Sequence, residues 1–507
     1  MLAVLEHQPG FSQIDLSSFN IVKETITLVP ISIAERYRVM PIKKEGRTLT
    51  LAIADPTNFF ALDAVRLVSG CEIIPVIATE KDIRKAINQF YGVKDLVEKA
   101  VNKLKSEDIA GLAETPVVDD TPIVNIVNSV ISRAIKERAS DIHIEPMDKQ
   151  LRVRYRIDGV LREVAYFPRQ IHAALVSRIK IMSELDIAEK RLPQDGRVVI
   201  LEAEREIDLR VSTLPTITGE KIVIRILDPE TVILNVTGLG FSSVNLTKYR
   251  ELYSKPYGMI LVTGPTGSGK TTTLYSTLLE INTPAKNVIT VEDPVEYRLD
   301  GVNQVQVNPK AGLTFASGLR SILRQDPNIV MVGEIRDTET ADIAIRAALT
   351  GHLVLSTLHT NDAPSAITRL VDMGIEPFLI ASSVLGVIAQ RLVRMICPNC
   401  KQPYTPNLSL PENKLLGSRI DDITYLYSGE GCLLCGQTGY RGRMSIHEIM
   451  PVTPAIRAAI NKRSSSDIVR DIAVKEGMLT MYEDGINKVC EGWTTVAEIM
   501  RQAYSEA

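Results

Sequence analysis

The residues best suited to chemistry form a glycine-rich run, Gly264-Pro-Thr-Gly-Ser-Gly-Lys270-Thr271. The run matches the phosphate-binding pattern G-x-x-x-x-G-K-[ST], in which glycines let backbone N–H groups close around phosphate oxygens. Lys270 is expected to neutralise the β- and γ-phosphates, and the Thr271 hydroxyl to ligate Mg²⁺. The sequence therefore predicts binding and hydrolysis of a nucleoside triphosphate. The predicted nucleotide-binding residues are Gly264, Pro265, Thr266, Gly267, Ser268, Gly269, Lys270, Thr271 and Thr272.

Acidic residues follow two other strand-like runs and could complete this site. The run 328–333 leads into Glu334, whereas many nucleotidases place Asp directly after such a run. A second run ends in the segment that holds Glu292, Asp293 and Glu296. Carboxylates just past a strand of an α/β domain tend to line a site, where they position Mg²⁺ and the attacking water. An exposed surface loop is the alternative for a bare acidic segment.

Two histidines flank another apolar run. His352 precedes the run and His359 follows it. A single histidine is more often structural, but a pair around one strand also suits contact with phosphate or with a neighbouring subunit. The residues alone leave both interpretations open.

Four of the six cysteines form two C-x-x-C pairs, Cys397 with Cys400 and Cys432 with Cys435. Two such pairs can supply four thiolates in a tetrahedron, which suits Zn²⁺, although their separation is longer than in common zinc ribbons. Four thiolates leave no open coordination position, so we expect a structural zinc site. Redox pairs or free thiols are the alternatives.

The composition limits the class of protein. With 507 residues the chain is too long for one core, and roughly two to four domains are expected. Hydrophobic residues make up 45% and charged residues 23%, which is ordinary for a globular protein. The net charge of −3 shows no basic surplus for nucleic acid. The isolated Cys71 and Cys490 are expected to be buried apolar residues.

No stretch of the sequence is long and apolar enough to predict a membrane span, and the start lacks the basic and apolar regions of a secretory signal. The nearest candidate, at 378–389, predicts a buried core helix. We therefore expect a cytoplasmic protein.

Periodicity and turn signals divide the chain into domains. A small α/β domain is predicted at 1–92, and a polar linker at 93–121. A second domain is predicted at 122–237, and a nucleotide domain with a mostly parallel sheet at 238–507. The last includes the cysteine insert at 397–435 and a helical C-terminal tail.

Alternation in the second domain concerns three arginines. Arg152, Arg154 and Arg156 occupy every other position of a predicted strand, so they share one face of a sheet. A solvated polar face explains this pattern as well as a functional surface does.

Seven motifs in order resemble the family of secretion ATPases that power type II secretion and type IV pilus assembly. The resemblance covers nearly the whole chain from about residue 20. It implies an α/β, multi-domain protein: a RecA-like P-loop ATPase core, a preceding PAS-like α/β domain, a small N-terminal α/β domain and a tetracysteine zinc insert. The motifs are Ser140-Asp-Ile-His-Ile-Glu-Pro146, Leu192-Pro-Gln-Asp-Gly-Arg197, Gly264 to Thr272, Glu292-Asp-Pro-Val-Glu296, Leu323-Arg-Gln-Asp-Pro327, Val332-Gly-Glu-Ile-Arg-Asp337 and Gly351 to Asn361.

The resemblance also implies roles for matching acidic and phosphate-loop positions. Lys270 and Thr271 would hold phosphate and Mg²⁺, and Glu334 would occupy the Walker B place. Glu296 is the best candidate to orient or deprotonate the attacking water, with Glu292 second.

Histidines and arginines complete the implied site. His352 and His359 would form the histidine box. Arg210 and Arg225 match the arginines that reach the γ-phosphate from the preceding domain, and Arg197 is a weaker candidate. A guanidinium at the transferring phosphoryl group stabilises its developing charge. A structural ion pair is the alternative for all three arginines.

The resemblance further implies a homo-hexamer that uses ATP, Mg²⁺ and Zn²⁺. The small N-terminal domain would dock a membrane-anchored partner, and the motor would drive an inner-membrane platform protein. Segments 308–315 and 382–390 look more like the type II secretion branch, and type IV pilus assembly is the alternative.

Two other functions fit the sequence less well. A nucleic-acid motor predicts a basic, aromatic-bearing channel, which one Trp, nine Phe and a pI of about 6.2 do not support, so no nucleic-acid partner is expected. A nucleotide-gated scaffold without turnover is disfavoured because Lys270, Glu296 and Glu334 are all present.

Overall fold

The chain divides into two compact units in the computed structural model. The first comprises Met1–Asp228, Cys397–Lys401 and Gly429–Arg441, and the second comprises Pro229–Ile396, Gln402–Ser428 and Gly442–Ala507. The predicted linker at 93–121 lies outside the described residues. Those are 14, 16, 23–90, 122–202, 204–228, 235–407, 416 and 423–503.

A three-stranded sheet with four helices opens the first unit. Strand β1 pairs antiparallel with β2, and β2 pairs parallel with β3. In β2 the side chains of Leu49 and Leu51 are fully buried. The elements are α1 (Lys23–Ile26), α2 (Ile31–Tyr37), β1 (Val39–Glu45), β2 (Thr48–Ile53), α3 (Phe59–Ser69), β3 (Glu72–Ile77) and α4 (Glu80–Phe90).

A six-stranded antiparallel sheet follows, with the order β6-β5-β4-β9-β8-β7. In β5 the residues Leu151, Val153 and Tyr155 are buried, and the arginines between them alternate to the other face, as predicted. The Tyr155 hydroxyl donates to the Val130 carbonyl at 2.6 Å and so ties α5 to the sheet. The elements are α5 (Pro122–Lys136), β4 (Asp141–Pro146), β5 (Gln150–Ile157), β6 (Val160–Pro168), α6 (His172–Met182), β7 (Gln194–Glu202), β8 (Arg205–Thr216) and β9 (Gly219–Leu227).

The second unit is built on a seven-stranded sheet with the order β12-β11-β13-β14-β10-β15-β18. Every neighbouring pair from β12 to β15 is parallel. Strands β10, β13 and β14 are buried along their whole length, as expected for a parallel sheet covered on both faces. The elements up to β15 are α7 (Ser243–Tyr253), β10 (Gly258–Thr263), α8 (Lys270–Ile281), β11 (Val288–Glu292), β12 (Asn303–Gln306), α9 (Phe315–Ile322), β13 (Ile329–Val332), α10 (Thr338–Leu349), β14 (Leu353–Leu358), α11 (Ala363–Asp372), α12 (Pro377–Ser383) and β15 (Val384–Ile396).

The described C-terminal part of the chain is largely helical. Two short strands form a two-stranded sheet, and a long strand precedes four helices. Among the described residues no helix has the length and apolar character needed to cross a membrane. The elements are β16 (Lys401–Tyr404), β17 (Leu426–Gly429), β18 (Tyr440–Pro451), α13 (Pro454–Asn461), α14 (Ser466–Lys475), α15 (Met481–Cys490) and α16 (Val496–Ala503).

Two expectations from the sequence were wrong. The apolar stretch 378–389 is not one helix, because α12 ends at Ser383 and β15 begins at Val384. Buried helices and buried strands are both continuously apolar, so periodicity does not separate them. Cys71 is buried as expected, but Cys490 is exposed because it lies at the end of α15, beyond the inward-facing Val489.

Candidate nucleotide site

The phosphate loop connects β10 to α8, as its pattern predicts. Gly264, Gly267 and Gly269 have φ values of 147°, 79° and 90°, a region that favours glycine. Helix α8 begins at Lys270, so its unpaired N–H groups and positive end lie at the loop. This arrangement is suited to binding an anion.

The Lys270 side chain is buried and folds back on its own loop. Its ammonium donates to the carbonyl oxygens of Gly264 at 2.7 Å and Pro265 at 3.1 Å. Burial lowers the pKa of Lys270, while the negative charge of Glu334 opposes that shift. The structure therefore brings the predicted Lys270 and Glu334 within electrostatic reach of each other.

Glu334 follows β13 and forms a small charged cluster. One carboxylate oxygen accepts from Arg336, and the other lies 3.3 Å from Nε2 of His359. Burial alone would raise the pKa of Glu334, but Arg336 and His359 outweigh it and hold the pKa below the ordinary value. Strands β13, β14 and β10 are neighbours, so Glu334, His359 and the phosphate loop meet at one edge of the sheet.

The two predicted histidines lie at opposite ends of β14. His359 follows the strand, and the next residue, Thr360, donates its N–H to Oγ1 of Thr263 at 2.9 Å. That bond fixes the segment after His359 to the end of β10. His352 precedes the strand, and its Nδ1 lies 3.0 Å from the Ala347 carbonyl oxygen. His359 is thus placed at the site, and the role of His352 stays a prediction.

The acidic segment after β11 separates its two glutamates. Glu292 is buried and accepts hydrogen bonds from Thr290 at 2.6 Å, from Gln304 at 3.1 Å and from the Tyr275 hydroxyl. Burial and the adjacent Glu292 charge raise the pKa of Tyr275, so the phenol keeps its proton. Glu296 is only partly buried, and its N–H donates to the Tyr275 oxygen at 3.3 Å. Because Glu292 is buried and already accepts from three side chains, Glu296 is favoured as the group that meets water.

The predicted arginines of the first unit stand in one row across five strands. Directly opposed positions are Arg156, Asp141, Arg225, Arg210 and Arg197. Opposed residues of antiparallel strands share a face, so these side chains project to the same side. Asp141 lies 3.2 Å from Arg156 and 3.3 Å from Arg225.

Several of these arginines form ion pairs. Arg197 lies 2.8 Å from Asp208, although both Arg197 and Arg225 keep more than half of their side chains exposed. Their contact with the γ-phosphate stays a prediction.

A second ionic cluster on the same face surrounds Glu145. Arg152, Arg154 and Lys221 lie 3.0, 2.7 and 3.1 Å from its carboxylate. Burial favours the neutral form of Glu145, but Arg154 and Lys221 outweigh it and lower its pKa to about 2. The alternating arginines of β5 therefore belong to an ion-pair network rather than to a simply solvated face.

The four predicted metal ligands come together in the first unit. Cys397, Cys400, Cys432 and Cys435 are buried, and their sulfur atoms all lie within 4.8 Å of one another. The 397–432 and 400–435 sulfur distances are 3.8 and 3.9 Å. A tetrahedral Zn²⁺ with Zn–S bonds of about 2.3 Å requires sulfur distances of about 3.8 Å. Backbone N–H groups of Cys432 and Gly439 donate to the Cys435 sulfur, which favours a thiolate.

Residues from other segments support the site and were not predicted from the sequence. Tyr275 lies within α8 and reaches the acidic segment, and Thr263 ends β10. Gln390 of β15 contacts the phosphate loop. The only signal for Gln390 was a polar side chain inside a buried strand, and that signal does not indicate which residues the side chain contacts.

The phosphate loop precedes a helix and lies on a buried parallel sheet. An ion-paired glutamate follows another strand of that sheet. Together these features define a P-loop ATPase. The chain belongs to the family described as type II/IV secretion system protein, whose model matches residues 117–501. A model of the MshEN domain matches residues 9–95. The resemblance and the mixed α/β, multi-domain fold predicted from the motifs are confirmed, and the chain is an ATPase of this family.

Individual relatives come from both branches of the family. The chain is 45% identical over 512 residues to the type IV pilus assembly ATPase PilB of Myxococcus xanthus, covering 98% of this chain and 89% of that protein. It is 44% identical over 493 residues to the type II secretion system ATPase E of Vibrio cholerae, covering 94% and 97%. The crystal structure of the pilus retraction motor PilT with bound ADP matches with a TM-score of 0.53 and 27% identity, covering 75% of this chain and 97% of that one.

Proposed function

We propose that this chain is the motor ATPase of a type II secretion machine and drives pseudopilus assembly through an inner-membrane platform protein. The family match over 117–501 is the observation that carries this proposal. The 44% identity to the Vibrio cholerae secretion ATPase supports the branch. Type IV pilus extension is the second candidate, supported by the 45% identity to the Myxococcus xanthus pilus ATPase.

Hydrolysis would use the residues assembled at the sheet edge. The loop N–H groups and Lys270 would bind the β- and γ-phosphates, so the ammonium would exchange its carbonyl partners for phosphate oxygens. Mg²⁺, held through the Thr271 hydroxyl, would neutralise charge on the phosphates. Glu334 would help to position Mg²⁺, and His359 would hold the second carboxylate oxygen of Glu334 in place.

The attacking water would be handled by the acidic segment. Glu296 would orient or deprotonate it, because Glu292 is buried and already accepts hydrogen bonds from three side chains. Arg210 and Arg225 would stabilise the charge that develops on the γ-phosphate. His352 would serve a contact with a neighbouring subunit.

The assembly and location belong to the same proposal. The motor would be a homo-hexamer at the cytoplasmic side of the inner membrane, held there by partner proteins, without a nucleic-acid partner. The small N-terminal domain, residues 1–92, would dock a membrane-anchored partner. The four-cysteine cluster would bind Zn²⁺ as a structural centre, since its sulfur spacing suits a tetrahedral ion.

Replacement of Lys270 in the native host tests the function. Lys270→Ala should abolish secretion of enzymes into the medium while surface pili remain, and both should be scored in the same cultures. Lys286→Ala is the matched control, because Lys286 is an exposed lysine of the same unit. Loss of pili with secretion retained would select the second candidate, and no change in either would contradict a motor role.

A further inference from the structure

Gln390 lies within β15 and is fully buried against the phosphate loop. Its Nε2 donates to the Ser268 carbonyl at 2.7 Å, and its Oε1 accepts from the Thr273 hydroxyl at 2.8 Å. A carbonyl oxygen can only accept, so the amide nitrogen must face Ser268. One side chain therefore bonds both the loop and the first turn of α8.

The strand also limits the loop sterically. A Cβ at Gly264 would lie 2.4 Å from the Gln390 carbonyl oxygen, and one at Gly269 would lie 3.1 Å from Nε2 of Gln390. No real Cβ tolerates the first distance. Contact with β15 therefore requires a glycine at position 264, in addition to its φ value, and leaves little room for a side chain at position 269.

The direction of one peptide unit follows from these contacts. Ser268 contributes the carbonyl and Gly269 the N–H of a single peptide, and in a trans peptide these two groups point in opposite directions. The only cis bond among the described residues is Asp293–Pro294. Because Gln390 draws the Ser268 carbonyl towards β15, the Gly269 N–H is turned away from the strand.

We propose that Gln390 is a positioning residue for ATP binding, which aims the Gly269 N–H into the phosphate cradle and locks the loop to α8 through Thr273. The inference rests on the nucleotide site proposed above. It assigns Gln390 an effect on nucleotide affinity, exerted through the loop backbone and without contact to the substrate.

Nucleotide binding by the full chain tests this role. Gln390→Met keeps the volume and removes both hydrogen bonds, so a fluorescent ATP analogue should bind about tenfold more weakly. The KM for ATP should rise by a similar factor while kcat at saturating ATP stays within about threefold. A purely structural defect would instead lower kcat through the active fraction and leave Kd unchanged. Gln402→Met, at an exposed position, is the matched control.

Two further variants keep the test decisive. Thr273→Val removes one of the two contacts and should weaken binding about threefold, and its effect should not add to that of Gln390→Met. If Gln390→Met does not fold, an unchanged Kd in Thr273→Val overturns the inference. Unchanged binding in a folded Gln390→Met, with binding lost in Lys270→Ala, overturns it while retaining the nucleotide site. A wild-type chain that binds no nucleotide would overturn the proposed function itself.

Discussion

The Tyr275 hydroxyl donates to the buried carboxylate of Glu292 and accepts from the Glu296 N–H at 3.3 Å. Tyr275 belongs to α8, the helix that begins at the phosphate loop, whereas both glutamates belong to the segment after β11. The Tyr275 phenol therefore connects the helix that follows the phosphate loop with the segment whose glutamate would orient or deprotonate the attacking water.

Removal of the Tyr275 hydroxyl should separate these two functions. Tyr275→Phe deprives the Glu296 N–H of its acceptor, so kcat for ATP hydrolysis should fall about tenfold while the Kd of a fluorescent ATP analogue stays within about twofold. Tyr253→Phe is the control, since it loses a 2.9 Å bond to Glu280. It should cost about 1 kcal/mol of stability and leave kcat unchanged. Equal kinetics for both variants would rule out the connection.

The two glutamates should respond differently to replacement by glutamine. Glu296→Gln should bind ATP normally but lose at least about 100-fold in kcat, as expected for loss of a general base. Glu292→Gln places an amide NH₂ among donors that need acceptors, so its main effect should be a lower melting temperature. Calorimetry and single-turnover hydrolysis measure the two effects.

The opposite result would reassign the base. A folded Glu292→Gln variant that binds ATP without hydrolysing it, beside an active Glu296→Gln variant, would make Glu292 the group that meets water.

Glu145 should make the stability of the first unit depend on pH. Its pKa is lowered from 4.5 to about 2, so its contribution is present above about pH 4.5 and is lost as the pH falls towards 2. Glu145→Gln should therefore speed hydrogen exchange of β4 and β5 amides at pH 7. The difference in exchange rate between Glu145→Gln and the wild type should become smaller below about pH 4.5. Glu163→Gln, whose side chain is 53% exposed, should change exchange little.

The cysteine cluster should hold one zinc ion per chain. Cys400→Ser should lose the metal and lower the melting temperature, because three remaining thiolates lack the fourth ligand of a closed structural site. Metal content by plasma mass spectrometry is the measurement. Cys490→Ser removes an exposed cysteine outside the cluster and should retain the ion. Wild-type protein purified without chelator and free of zinc would contradict the assignment.

The sequence predicts the phosphate loop well because its residues are consecutive and the backbone conformation of the loop already requires its glycines. The four cysteines were also recognisable, since C-x-x-C pairs carry their geometry locally. Both features depend on short-range spacing, which is what a single sequence displays.

Features that depend on strand register were not predictable. The row from Arg156 through Asp141 to Arg225 exists because β5, β4 and β9 are neighbours, and their order is not the chain order. The helix predicted across 378–389 failed for a similar reason, because tertiary contacts select strand over helix in a continuously apolar run.

The contact between Gln390 and Ser268 joins positions that are 122 residues apart in the chain. Recombination between homologues with a crossover inside that interval would unite a phosphate loop from one parent with a supporting strand from another. Even a loop of identical sequence could then lose its shape, because the side chain that binds the Ser268 carbonyl lies in β15 and not in the loop. The phosphate loop and β15 of this nucleotide site must therefore be inherited together.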